Sequence, residues 1–102
     1  MKNTKQKLII EQVDRKLRVL KPLEMIIVPK NGWVNTVRVA LKMSLKQLGK
    51  RMKITMQSVS EIEKREASGT ITLNTLNEAA KALNMRLVYG FIPKENSLEE
   101  MI

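Results

Sequence analysis

Gln57, Ser60 and Glu61 stand three and four residues apart in the run KITMQSVSEIEKR (residues 53–65), with Met56 beside Gln57 and Lys53, Lys64 and Arg65 toward the ends. On a helix this spacing collects an amide, a hydroxyl and a carboxylate on one side. Such groups match the edges of base pairs. Gln57 can donate to and accept from adenine, Ser60 can bond several bases, Met56 can meet a thymine methyl, and Glu61 can accept from cytosine. Glu61 also selects by exclusion, because a misplaced carboxylate is repelled by phosphate. Lys46, Gln47, Lys53, Lys64 and Arg65, with Thr55 and Ser58 at the start of the run, suit phosphate, which supplies affinity without sequence choice.

Positioning those groups requires two short helices on a shared core. Leu48 and Met52 lie four apart on one helical face, Ile54 falls in a turn, and Val59 and Ile62 lie three apart on a second face. Gly49 permits the close approach of the two helices, and Thr55 suits an N-cap whose hydroxyl satisfies an amide near Gln57 or Ser58. Residues 45–64 therefore read as a helix-turn-helix.

Composition narrows the chemistry. The 102 residues form one small domain with neither His nor Cys, which removes the commonest general base, the thiol nucleophile and the usual zinc ligands. Asp14 is the only Asp, and no Glu pair has a recognisable ligand spacing. Neither a cofactor nor a metal is expected, and an enzyme is the weakest reading, since no nucleophile can be matched to a base. The net charge of +9 is uneven: residues 1–65 hold 16 Lys and Arg against 5 Asp and Glu, whereas residues 66–102 hold 3 against 5. The cationic half coincides with the groove-reading run, which points to nucleic acid. Charge alone would also fit RNA or general nucleoid binding, with nearly equal affinity for all duplexes. No stretch reaches the roughly 18 apolar residues of a membrane span, and MKNTKQKLII lacks a signal-peptide core, so the expected location is cytoplasmic.

The remaining segments complete a mainly α architecture. KLIIEQVDRKLRVLK (7–21) predicts an amphipathic helix with Ile9, Val13, Leu17 and Leu20 in its stripe, and LEMIIVPKN (23–31) an extended connection or edge strand. Trp33, Val37, Ala40 and Leu41 space a helix with Trp33 as its core anchor. EASGTI (66–71) reads as a loop. Thr72 caps a helix to Leu83, with Leu73, Leu76, Ala80 and Leu83 inward and Asn84 as a left-handed stop. MRLVYGFI (85–92) is rich in strand formers and is expected to pair as a short C-terminal β-strand, and the tail KENSLEEMI is expected to be mobile. The organisation read from the sequence is an N-terminal helix and connection (1–31), a five-helix helix-turn-helix fold centred on 32–84, and a strand with an acidic tail (85–102).

Residues 33–84, through Leu41, MSLKQLGKRM, KITMQSVSEIEKRE and TLNTLNEAAKALN, resemble the phage-repressor and Cro (XRE-like) family of helix-turn-helix domains. With KLIIEQVDRKL, PKNGW and LVYGFIPK, the whole chain further resembles the bacterial family called mobile mystery protein A. The first resemblance implies a transcriptional regulator of double-stranded DNA. It also implies that Arg38 and Glu63 form the ion pair that joins the first helix of such domains to the recognition helix and turns the arginine toward phosphate. Two positions depart from the pattern: Leu45 replaces a frequent Gln, so that its DNA contact is either lost or moved to Lys46 or Gln47, and Lys53 occupies a turn position often held by Gly.

One module covers roughly 600–1,000 Å² of DNA surface, too little for tight specific binding. A dimeric repressor on an inverted-repeat operator is therefore expected, with recognition helices about 34 Å apart and subunit contact through residues 86–92 helped by the N-terminal segment. The alternative implied by the mobile mystery protein A resemblance is an antitoxin-like module that neutralises a neighbouring Fic-domain toxin and represses its own promoter.

Overall fold

The computed structural model describes residues 4–102, and among them are five α-helices: α1 (Thr4–Arg18), α2 (Gly32–Ala40), α3 (Leu45–Met52), α4 (Met56–Ser68) and α5 (Leu73–Ala82). Short 3₁₀ turns cover Lys21–Met25 and Glu99–Met101. The chain divides into two compact units, one of Ile27–Val88 and the other of the residues up to Ile26 with Tyr89–Ile102.

In the Ile27–Val88 unit the helix boundaries are written locally. Ser44, Thr55 and Thr72 each accept, through the side-chain oxygen, the backbone N–H three residues on, which satisfies a donor that the first helical turn leaves open. Each helix after α2 then ends at or near a left-handed residue: Lys53 (φ 61°) after α3, Gly69 (φ 81°) after α4 and Asn84 (φ 58°) just beyond α5. The Met85 N–H returns to the Ala80 carbonyl at 2.8 Å, closing the last turn of α5. Leu48, Val59 and Ala79 are fully buried where α3, α4 and α5 meet, with Val34, Met43 and Leu83 around them. Gly49 is required there: a Cβ at this position would stand 2.8 Å from the Ile54 carbonyl oxygen.

In the other unit the buried residue of α1 is Asp14, at 5% exposure. Its carboxylate accepts the backbone N–H groups of Leu98 (2.7 Å) and Glu99 (3.3 Å), which binds the end of the chain to α1. Gly90 lies directly on the Leu20 side chain, with no room for a Cβ.

Several expectations are corrected. No β-strand forms among the described residues. Residues 85–92 carry no regular secondary structure, since strand propensity without a partner strand builds no ladder. Of the expected extended connection at 23–31, residues 23–25 are instead the end of the 3₁₀ turn that begins at Lys21, and the chain becomes extended at Ile26 (φ −67°, ψ 133°) without forming a strand. The expected loop at 66–71 is half helix: α4 continues to Ser68 because the break waits for Gly69. The tail is docked through Asp14. Trp33 is 46% exposed and lines an apolar groove with Leu76, Met85 and Val88, while its neighbour Val34 enters the core. Leu73 and Ile9 are likewise exposed, the inward positions being Ala79 on α5 with Leu83 at its C-cap, and Ile10, Val13 and Leu17 in part on α1.

Candidate nucleic-acid interface

The polar face of α4 follows from what its other face buries. Val59, Ile62 and Glu63 turn inward, so Gln57, Ser60, Glu61 and Lys64, at i, i+3, i+4 and i+7, share the opposite side. Gln57, Glu61, Lys64 and Arg65 are exposed, Met56 is 45% exposed and Ser60 is half-buried. The Glu61 carboxylate lies 3.7 Å from Arg65 Nε in a solvent-exposed pair that adds little stability and can open to a ligand.

The N-terminal end of α4 is held by Thr55. Its Oγ1 accepts the Ser58 N–H at 3.1 Å and its hydroxyl donates to Ser58 Oγ at 3.0 Å. Thr55 is thereby committed to the cap, and the Ser58 hydroxyl keeps its own proton for an outside acceptor.

Before α4 runs α3, whose Lys46 and Lys50 are exposed on one side four residues apart. Gln47, expected at phosphate, completes a capping box: its Oε1 accepts the Ser44 N–H at 2.7 Å, and its own N–H donates to Ser44 Oγ at 3.0 Å. Only its NH₂ group is left for a ligand. The pattern Ser-x-x-Gln at 44–47 is the sequence signal for this box. Leu45 packs partly against the core, which is what an apolar residue does at a position where a polar one would face outward. Lys53 takes the left-handed conformation itself (φ 61°, ψ 41°), and its side chain is exposed in the turn between the two helices.

Behind this surface α4 is bolted to α2. Arg38 donates from Nε to Glu63 Oε2 at 2.6 Å and from Nη2 to Glu63 Oε1 at 3.1 Å, with both side chains nearly buried. Its Nη1 donates to the Met43 carbonyl at 2.8 Å. The hydrogen bond from Glu63 holds the guanidinium pKa above the ordinary arginine range, against the opposing effect of burial and with the aid of charge attraction. Because that pKa is raised, the stability it represents is complete at every pH below the ordinary arginine range, and physiological pH leaves the pair intact. All three guanidinium nitrogens have internal partners, so a phosphate must approach Arg38 through hydrogens the pair leaves over. Asn35 Nδ2 also donates to Glu63 Oε1 at 2.8 Å.

Glu66 makes a second bolt. Its carboxylate accepts the N–H groups of Trp33 (2.8 Å) and Val34 (2.9 Å) and so caps α2 from the last turns of α4. Gly32, at φ 85°, leaves room for that carboxylate, which a Cβ would meet at 2.7 Å. Reading the sequence missed Glu66, and nothing local announces it. It also passed over Lys50, an exposed cation one turn after Lys46 on α3.

A helix with a solvent-facing amide, hydroxyl and carboxylate, rigidly held on a three-helix support and flanked by lysines, defines a DNA-binding helix-turn-helix domain. A family model described as Helix-turn-helix matches residues 35–89, more than half of the chain, and the chain belongs to that family, of the phage-repressor and Cro (XRE) type. No curated protein and no solved structure matches it. The narrower resemblance to mobile mystery protein A therefore has no support from these comparisons. Among the described residues no cluster of three or more Asp or Glu side chains could hold a metal ion, and no helix is long and apolar enough to cross a membrane.

Proposed function

We propose that the protein is a sequence-specific, dimeric transcriptional repressor that inserts α4 into the major groove of an inverted-repeat operator, acting in the cytoplasm. The observation that carries this reading is the shared outward face of Gln57, Ser60, Glu61 and Lys64, set against the burial of Val59, Ile62 and Glu63 on the same helix. Gln57 is the principal base reader, Ser60 and Met56 add a hydrogen bond and a methyl contact, and Glu61 discriminates at cytosine. Lys46, Lys53, Lys64 and Arg65 hold phosphates, joined by the Gln47 NH₂ and the Ser58 hydroxyl, while Thr55 presents the helix end and Arg38 adds a phosphate contact from its edge.

Selection of bound fragments from a random duplex pool, followed by footprinting, tests the reading. The expected result is a palindromic motif preferred over other duplexes by about 10³ or more. Equal affinity for all duplexes, falling steeply with salt, would leave only charge-driven binding. An antitoxin function, as the mobile mystery protein A resemblance implies, would add a protein partner to this activity without replacing it.

A further inference from the structure

We infer that the apolar groove between α2 and the end of α5 is a binding site for a small amphipathic carboxylate of the medium-chain fatty acid class, whose tail the groove takes and whose head Arg86 holds. The groove lies wholly within the Ile27–Val88 unit. Trp33 and Val37 come from α2, Leu76 and Ala80 from α5, and residues 85–88 complete the lining. Its volume is about 360 Å³, within the range of roughly 300–1,000 Å³ that small-molecule sites occupy and toward the lower end of it.

Both sides of the groove are fixed before any ligand arrives. On α2, the N–H groups of Trp33 and Val34 are held by the Glu66 carboxylate at 2.8 and 2.9 Å. After α5, the Met85 N–H is held by the Ala80 carbonyl at 2.8 Å, which sets the course of the chain into residues 85–88. A preformed site spares its ligand the cost of ordering it.

The charge in the lining selects the head group. Every described residue that lines the groove is apolar except Arg86. Arg86 is exposed, and among the described residues it makes no hydrogen bond or ion pair. Arg38 and Arg51, by contrast, are committed to the Glu63 carboxylate and the Ala82 carbonyl. A guanidinium offers a carboxylate two parallel N–H donors, and no acidic side chain in the lining competes for them. The net charge of +9 adds a field that draws an anion toward the chain. An apolar tail with an anionic end is therefore the complement of this groove, and a neutral or cationic amphiphile is not.

Titration of the full chain with decanoate below its micelle-forming concentration, followed by Trp33 fluorescence, tests the inference. Trp33 is the only Trp in the chain, is 46% exposed and stands in the lining, so the emission reports this site. A saturable movement of the emission to shorter wavelength is expected, with decyltrimethylammonium producing none. Arg86→Gln should weaken decanoate binding about tenfold or more. Val88→Glu, which sets a like charge in the lining, should do the same, and both positions are exposed, so the fold does not depend on either side chain. Lys94→Gln removes the same unit of charge outside the lining and should bind as the wild type does. The absence of a saturable shift, or equal weakening by Arg86→Gln and Lys94→Gln, would overturn the inference. So would an emission already at short wavelength that moves back on dilution without ligand, since a second copy would then fill the groove. No DNA enters the measurement, so its failure leaves the repressor reading standing, and a chain that binds decanoate but selects no operator defeats that reading alone.

Discussion

The Glu66 carboxylate accepts the backbone N–H of Val34 at 2.9 Å, so that α4 caps the start of α2 from 32 residues away along the chain. The same carboxylate takes the Trp33 N–H at 2.8 Å, and the N-cap position of α2, Asn31, supplies no side-chain hydrogen bond of its own. An acidic group at a helix N-terminus both satisfies open donors and answers the helix dipole. Glu66→Ala is therefore expected to lower stability by about 1–2 kcal/mol, with Glu66→Gln losing less, as measured by urea denaturation. Equal stability of wild type and Glu66→Ala would show that solvent can replace the cap.

The Arg38–Glu63 pair is a sharper case because both side chains are nearly buried. Glu63→Ala leaves the guanidinium without its charge partner and should cost about 3–5 kcal/mol. Replacing both residues together, as Arg38→Met with Glu63→Leu, should recover much of that loss. Additive losses in the double variant would contradict this account of the pair.

Left-handed backbone at two lysines stores strain that glycine would relieve. Lys42→Gly and Lys53→Gly are each expected to raise stability by about 0.5–1 kcal/mol, the relief of a Cβ clash less the added entropy of the unfolded chain. The two should part company on DNA, with Lys53→Gly alone losing affinity, because Lys53 is assigned to phosphate. A fall in thermal midpoint for both would show that their side chains stabilise more than the backbone strain costs.

Crowding at Gly49 predicts the opposite sign. Gly49→Ala drives a methyl group against the Ile54 carbonyl oxygen, a backbone atom that cannot step aside. Destabilisation of about 1–3 kcal/mol is expected, together with weaker operator binding, since the turn between α3 and α4 must open.

Gln57 and Lys64 share one face of α4 but should fail differently. Gln57→Ala is expected to lose about 1–3 kcal/mol at one base position and to relax preference there, whereas Lys64→Ala should weaken all duplexes alike and reduce the salt slope by about 1. Titrations at several salt concentrations against the selected operator and a mismatched duplex distinguish them. Identical behaviour of the two variants would remove Gln57 from the base-reading role.

The helices α3, α4 and α5 were readable because their signals are local. Apolar residues three and four apart define the buried faces, Thr55 and Thr72 open two of the helices, and the left-handed stop at Asn84 follows from a side chain that tolerates it. The faces of α1 and α2 were less readable because each carries more apolar positions than its buried side uses. Trp33 and Val34 are adjacent and apolar, and only the packing of α2 against the rest of its unit selects Val34. The strand expected at 85–92 failed for a related reason, since strand formation needs a neighbour that periodicity cannot supply.

By itself the chain's order of residues determined the helix-turn-helix: its caps, its glycine and the outward set on α4 all act within a few residues of one another. Tertiary structure alone decided that Glu66 would cap α2, that Asp14 would hold the end of the chain, and that Trp33 would stay at the surface. Those outcomes join groups tens of residues apart, whose interaction has no energy until the backbone has brought them within hydrogen-bonding distance, so no short stretch of sequence can carry their signal.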